Sequence, residues 1–206
     1  MTTFGFFLSC EGFSPAEILE QARLDEEAGF DALWISDHCH PWTKAQGESV
    51  LVWSMIGAIS QVCDLPVTTA VTCPTMRIHP AIIAQAAATS AVLLGEGKFR
   101  LGLGSGEALN KHILGNAWRP APVRLVPGNL AQVFPTVAHF EQASTLVTRE
   151  KIAEVATAGC SPEAHVAACQ PFLDAGFDEI YVANMGPRYA DMIRAYGAAV
   201  LPALRG

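Results

Sequence analysis

The sequence predicts an α/β protein on a parallel sheet, of the (β/α) TIM-barrel type, with about five strands forming an incomplete barrel. Three observations predict it. Short, continuously apolar runs alternate along the chain with helical patterns. Those runs lack the in-out alternation of a half-exposed sheet, as strands covered on both faces must. One joint also recurs: helix, then Ala-Gly-Phe-Asp, then strand, at residues 28–31 and again at 175–178. A glycine that ends a helix, an aromatic that packs under the turn and an aspartate before a buried strand make one αβ unit used twice.

Each element can be justified in turn. "TFGFFLS" is the first strand, and the helix after it has Ser14 as cap, Pro15 in the first turn, Glu17 to complete a capping box and Gly29 as its stop. A strand follows over 32–36, a helix near 49–62, a strand over 67–72, a helix over 80–94 and a strand over 99–104. Residues 107–115 read as a short helix, and "NAWRPAPVRLVPGN" as Pro-rich irregular chain. Helical patterns return over 129–157 and in "SPEAHVAACQPFLDAGF", before the strand "DEIYVAN" and a last helix from about 188. A closed (β/α)8 barrel has eight strands and about 250 residues. Five strands therefore mean either an incomplete barrel or an open doubly wound sheet.

Composition narrows the ligand. The 206 residues are 50% hydrophobic, enough for a sizeable core, and the net charge of -7, with no run of Lys or Arg, excludes nucleic acid and an anionic membrane as the main partner. A small molecule is the expected ligand. The opening "MTTFGFFLSCEGF" lacks the basic segment and cleavage site of a secretory signal, so a cytoplasmic location is expected. Gln85, Thr89 and Ser90 interrupt the apolar stretch Pro80 to Gly95, which falls short of the roughly 20 residues of a membrane span and reads as a buried helix. Six scattered cysteines without a C-x-x-C pair read as reduced thiols.

Chemistry in a parallel α/β sheet gathers beyond the carboxyl ends of its strands. Those ends carry "SCEGF", "SDHCHPW", "TCPT", "GSGEALN" and "ANMGP", each delivering polar groups or glycines to one rim. Taken singly, Asp37 could cap a loop, and His38 or His40 could be a satisfied loop histidine. Together with Glu11 and Glu107 they read as a site. A zinc site from "HCH" is disfavoured, because adjacent residues on extended chain point to opposite sides and no fourth ligand is evident. "GLGSGEALN" lacks the last glycine of a dinucleotide fingerprint. Its glycines are expected to let backbone approach a flat ring or phosphate closely, with Ser105 as a donor. Trp34 and Trp53 are expected in the core, and Trp42, after Pro41, as a stacking wall for a ligand.

These residues resemble a known family. "GFFLSCEGFSP", "SDHCHPW" and "TAVTCPTMRIHPAIIAQAAATSAVLLGEGKFRLGLGSGEALN" are similar to the coenzyme F420-dependent branch of the luciferase-like oxidoreductases, strongly over about residues 1–120 and moderately over about 135–205. The resemblance implies a (β/α)8 barrel with the deazaflavin lying across the carboxyl end of the strands. It places Asp37, His38, Cys73, Ser105, Glu107 and Asn110 against the cofactor. It places Glu11 and Trp42 near the substrate, and a nonproline cis peptide between Ala70 and Val71, behind the ring. In the chemistry it implies, a hydroxylated small molecule gives a hydride to F420; FMN, as in a monooxygenase of the same superfamily, is the alternative cofactor, and a nonenzymatic cofactor-binding remnant the alternative role. His38 would be the general base, tuned by Asp37 and burial; Glu107 would exchange a proton with the reduced ring, and Trp42 would stabilise the developing oxocarbon. The chain departs from the family within its single domain, 1–206: near 125–128 the text jumps toward the last βα unit, and the missing length removes about three strands. The last strand should then pair with the first, giving the order last-1-2-3-4 with two open edges, which a homodimer would cover.

Overall fold

The computed structural model describes residues 2–74, 77–106, 108–109, 134, 136–159 and 161–206. Five strands, β1 (Thr3–Leu8), β2 (Ala32–Ile35), β3 (Val67–Thr69), β4 (Phe99–Arg100) and β5 (Glu179–Ala183), form one sheet in the order β4-β3-β2-β1-β5. Every pairing is parallel. This is the order the sequence predicts for a partial barrel. The expected short helix at 107–115 and the junction at 125–128 lie outside the described residues, apart from Ala108 and Leu109 in a helical turn.

The helices between the strands are α1 (Pro15–Glu27), α2 (Val52–Ile59) and α3 (Pro80–Leu94), with α4 (Val137–Ser144), α5 (Arg149–Ala153) and α6 (Pro162–Asp174) before β5. After β5 come α7 (Tyr189–Ala195), a π-helical turn over Tyr196–Val200 and α8 (Leu201–Arg205). The capping box of α1 forms in both directions: Ser14 Oγ accepts from the Glu17 amide, and Glu17 Oε2 accepts from the Ser14 amide at 2.9 Å. Gly29 ends the helix at φ +83°, and Gly176 does the same after α6 at φ +79°, left-handed positions that a β-carbon would strain.

Side-chain alternation along β1 divides the sheet. Phe4, Phe6 and Leu8 are buried on the helix side, where they join Ile18, Phe30, Leu33, Ile35, Ile56 and Ile193 in the core. Each such side chain contributes roughly 1.5–3 kcal/mol by leaving water. Thr3, Gly5 and Phe7 face the concave side. Gly5 is required there, because a β-carbon would lie 2.1 Å from Tyr181 Cε1. Tyr181 crosses above Gly5 and stacks on Trp34, with centroids 4.1 Å apart and planes at 18°. Trp34 therefore stands on the concave face, outside the buried core expected for it, whereas Trp53 packs against that core.

The two edge strands also meet across the concavity. Arg100 Nη1 of β4 lies 2.5 Å from Glu179 Oε1 of β5, and the Tyr181 hydroxyl donates to Glu179 Oε2 at 2.9 Å. In the ladder Arg100 shares a row with Thr68, Trp34 and Phe7, whereas Glu179 is level with Thr3. That offset of about one residue per strand is the shear of a tilted barrel, which brings the two to one height.

Two expectations of burial fail at the edges. Phe30 is 3% exposed under the first joint, but Phe177, its counterpart at the second, is 54% exposed and finds an edge-to-face contact with Phe172. Helix α3 forms where expected, but buries only Ile83, Ser90 and Leu94; Ile82, Val92 and Leu93 are exposed. Both elements flank an open edge of the sheet, so the neighbour that would cover them is missing among the described residues.

Candidate functional site

Glu11 follows β1 and is buried. Its Oε2 accepts hydrogen bonds from Ser9 Oγ and Ser36 Oγ, both at 2.8 Å. Ser36, at the end of β2, also accepts from the Cys10 amide at 2.8 Å, so one hydroxyl clasps the ends of two adjacent strands. The other oxygen, Oε1, has no hydrogen-bond partner among the described residues and lies 3.9 Å from His38 Nδ1. Burial, and secondarily the Glu11 charge, pushes the Cys10 thiol up to about 12. Cys10 is held as a neutral thiol beneath the site.

The next residue is committed elsewhere. Asp37 accepts from Thr72 Oγ1 at 2.8 Å through Oδ2, and its Oδ1 pairs with the Arg77 guanidinium. Both partners come from the segment after β3. The expectation has Asp37 tuning His38; among the described residues it is Glu11 whose carboxylate faces the imidazole, while Asp37 ties the β2 end to the β3 end. Neither Thr72 nor Arg77 was singled out in the sequence. The only signal is that "TCPTMR" follows a strand end, which does not reveal a partner thirty-five residues back.

Trp42 does line this mouth. Its ring lies 5.0 Å from that of His38, inclined at 52°, and its other side meets the edge of Phe140 of α4 at 4.9 Å. Gln46 Oε1 accepts from the Trp42 and Thr43 amides at 2.7 and 3.3 Å, fixing the turn that carries the indole. The Lys44 amide donates to Glu141 Oε1 at 3.2 Å, so α4 is pinned to the same loop. Phe140 is a wall residue the sequence reading missed. His40 turns aside, its Nδ1 2.8 Å from the carbonyl of Pro41. No group of three metal-ligating side chains occurs among the described residues.

The third and fourth strand ends lock together beside these groups. The Ala70–Val71 peptide is cis, and the Ala70 amide donates to Ile35 O at 2.8 Å. Thr72 then bridges to Leu103: its amide donates to Gly102 O at 2.8 Å and its carbonyl accepts from the Gly104 amide at 2.9 Å. The glycines serve this contact. A β-carbon would lie 2.0 Å from Thr69 O at Gly102, 2.3 Å from Val71 Cγ2 at Gly104 and 2.7 Å from Cys73 Sγ at Gly106. Their missing side chains let the β3 end pack directly on this loop. Ser105 is half-buried in the same loop and Val71 is 45% exposed. Thus Glu11, His38 and Trp42 form one contact chain, while Asp37, Ala70, Val71 and Cys73 join the second and third strand ends to the loop of Ser105. Glu107 and Asn110 lie outside the described residues.

A parallel partial barrel with an acid, an imidazole and an indole at the carboxyl rim, backed by a cis peptide after the third strand on a glycine loop, defines a scaffold of the (β/α) barrel type. Residues 2–131 match the luciferase-like monooxygenase family, and the chain belongs to that family. It is 41% identical over 122 residues to an F420-dependent glucose-6-phosphate dehydrogenase of Microbacterium testaceum (strain StLB037), covering 59% of this chain and 36% of that one. It is 40% identical over 108 residues to an F420-dependent hydroxymycolic acid dehydrogenase of Mycobacterium tuberculosis (strain ATCC 25618 / H37Rv), covering 52% and 30%. The chain thus spans about a third of the length of the curated relatives it matches. Among solved structures, an F420-dependent secondary alcohol dehydrogenase in complex with an F420-acetone adduct superposes with a TM-score of 0.88 at 20% identity, spanning 100% of this chain and 99% of that one. The coenzyme F420-dependent tetrahydromethanopterin reductase from Methanopyrus kandleri gives 0.72 at 15% identity, spanning 98% and 99%. At these identities the structures establish the barrel-type fold.

Proposed function

We propose that this chain carries the ring-binding half of an F420-dependent oxidoreductase, which moves a hydride between a hydroxylated carbon of a small molecule and the deazaflavin. One observation carries the reading: a buried carboxylate oxygen, Glu11 Oε1, without a hydrogen-bond partner among the described residues, faces His38 at the rim where Trp42 stands. The neighbouring rim suits a flat group, since the cis peptide leaves Val71 partly exposed on its bed of glycines. Asp37, Cys73, Ser105, Glu107 and Asn110 are the residues proposed to hold the coenzyme. The relatives named F420-dependent dehydrogenases support that choice of cofactor.

Coenzyme F420, when bound, supplies a two-electron acceptor that takes hydride and reacts poorly with oxygen. The chain's own residues do the rest. His38 removes the hydroxyl proton as the carbon loses hydride, so a C–O single bond becomes a carbonyl. Glu11, held by Ser9 and Ser36, stabilises the imidazolium that results. Trp42, clamped between His38 and Phe140, screens the reacting carbon from water and supports its developing positive charge.

A second reading rests on length: a chain spanning about a third of its relatives could bind the coenzyme without turnover. One fluorescence experiment separates the outcomes. Quenching on binding followed by alcohol-dependent bleaching supports the oxidoreductase, and binding without bleaching supports the module. Preference for FMN supports a monooxygenase instead. His38→Ala is expected to abolish bleaching while leaving F420 binding within about threefold of wild type. Unchanged bleaching would refute the base.

A further inference from the structure

We propose that the two open edges of the sheet are a docking surface for a second copy of this chain, the β5 edge of each copy taking the β4 edge of the other around a twofold axis along the barrel. A parallel edge exposes a row of unpaired backbone groups, which invites another strand. On β5 the inner row is identified by the bond from the Thr3 amide to Asp178 O at 2.8 Å. By alternation, the backbone groups of Glu179, Tyr181 and Ala183 point away from β1, toward the open side.

That side is already shaped as a groove. A cavity of about 920 Å³ runs along Ile180, Val182 and Ala183, with Cys169 and Phe172 of α6 forming its opposite wall. Its flank is apolar and exposed, including Phe172 and Phe177. The far edge carries an apolar flank of its own in the exposed Leu101 and Leu103 beyond β4. The two edges are unlike, so contact between them is head to tail. Two half-barrels that exchange both edges close on themselves and leave none open.

Charge selects a second copy as the occupant. Arg100 on one edge and Glu179 on the other stand at the same height of the barrel, as their contact within the chain demonstrates. At each seam of the closed pair, Arg100 of one copy becomes the neighbour of the partner's Glu179. Arg100 is more than half exposed, and such a pair contributes little to the single chain, so exchanging it is nearly neutral. Burial of the apolar flanks then drives association.

The test measures mass in solution by light scattering and sedimentation equilibrium on the whole chain. Wild type is expected at twice 21.9 kDa at tens of micromolar. Arg100→Glu and Glu179→Arg place like charges at both seams, and each variant alone is expected to dimerise at least tenfold more weakly. Mixed in equal amounts they should recover the dimer, because each seam then pairs unlike charges, which no rearrangement within one chain can mimic. Ala183→Pro, which removes an outward amide without touching the β1 ladder, should give a monomer with unchanged far-ultraviolet circular dichroism. A monomeric wild type, an open series of larger species, or a mixture that stays monomeric would overturn the proposal.

Discussion

Replacing Asp25 by asparagine is expected to flatten the pH dependence of stability. Asp25 lies on the inner face of α1, fully buried, and neither carboxylate oxygen has a hydrogen-bond partner among the described residues. Gln21, one turn earlier, is buried in the same condition. Burial pushes the Asp25 carboxyl up to about 9. At neutral pH the folded chain therefore holds a proton there that the unfolded chain, at its ordinary value of 3.8, has released. Because the native state binds the extra proton, the contribution is fully favourable below the unfolded value and declines as pH rises toward the folded one. About 3 pH units separate 3.8 from neutrality, each corresponding to about 1.4 kcal/mol, so ionising this group in the unfolded state costs the fold about 4 kcal/mol at pH 7. Urea denaturation between pH 5 and pH 8 should show wild type losing about 1.4 kcal/mol per pH unit through this group, with that component absent from Asp25→Asn. Equal slopes in the two proteins would refute the reasoning, since they would mean that Asp25 has the same charge folded and unfolded.

Three further substitutions test the packing of the site. Gly102→Ala should destabilise the fold by about 1–3 kcal/mol in denaturant titration, because the new methyl would lie 2.0 Å from a backbone carbonyl, that of Thr69, which cannot swing aside. Arg77→Met leaves the buried Asp37 carboxylate with Thr72 as its one partner among the described residues, and should cost about 1–3 kcal/mol and loosen the β2 end, measured by denaturation and by amide exchange at residues 36–38. Ser14→Ala removes the side-chain arm of the capping box, leaving the bond from the residue-14 amide to Glu17, and should cost about 1 kcal/mol, read from the urea midpoint with an unchanged slope.

The elements were legible where the signal is local. Ser14, Pro15, Glu17 and Gly29 bracket one helix, and all the information needed lies within fifteen residues. Apolar runs placed five strands, the repeated joint around Gly29 and Gly176 marked a (β/α) barrel type, and the family resemblance put the last strand beside the first. The rim could be read as well, because parallel strands deliver their carboxyl ends together whatever their loops do. The contacts inside it could not. Which acid faces His38 depends on whether Ser36 or Thr72 reaches a given carboxylate first, and that is decided by distances between strands. Phe140 reaches Trp42 from almost a hundred residues away, and the glycines of the fourth loop are explained only by the strand that packs on them.

Burial was legible only as far as the barrel is complete. An apolar run says that a segment can be covered on both faces, but coverage requires a neighbour. Where β1 and β2 lie between other strands, the expectation holds and Phe6, Leu33 and Ile35 are fully enclosed. At α3 and at Phe177 the same kind of sequence meets an open edge, and the side chains remain in water. The concave face answers the same deficit from within. Tyr181 uses the missing side chain of Gly5 to reach Trp34, and Glu179 reaches across to Arg100, so side chains of the five strands occupy the interior that further strands would otherwise fill. The interior is thereby bridged at its lower layer, while among the described residues both edges stay unpaired. Such a sheet retains a supported carboxyl rim, which keeps the candidate site in place, and, among the described residues, two unpaired edges at which the second copy proposed above would dock.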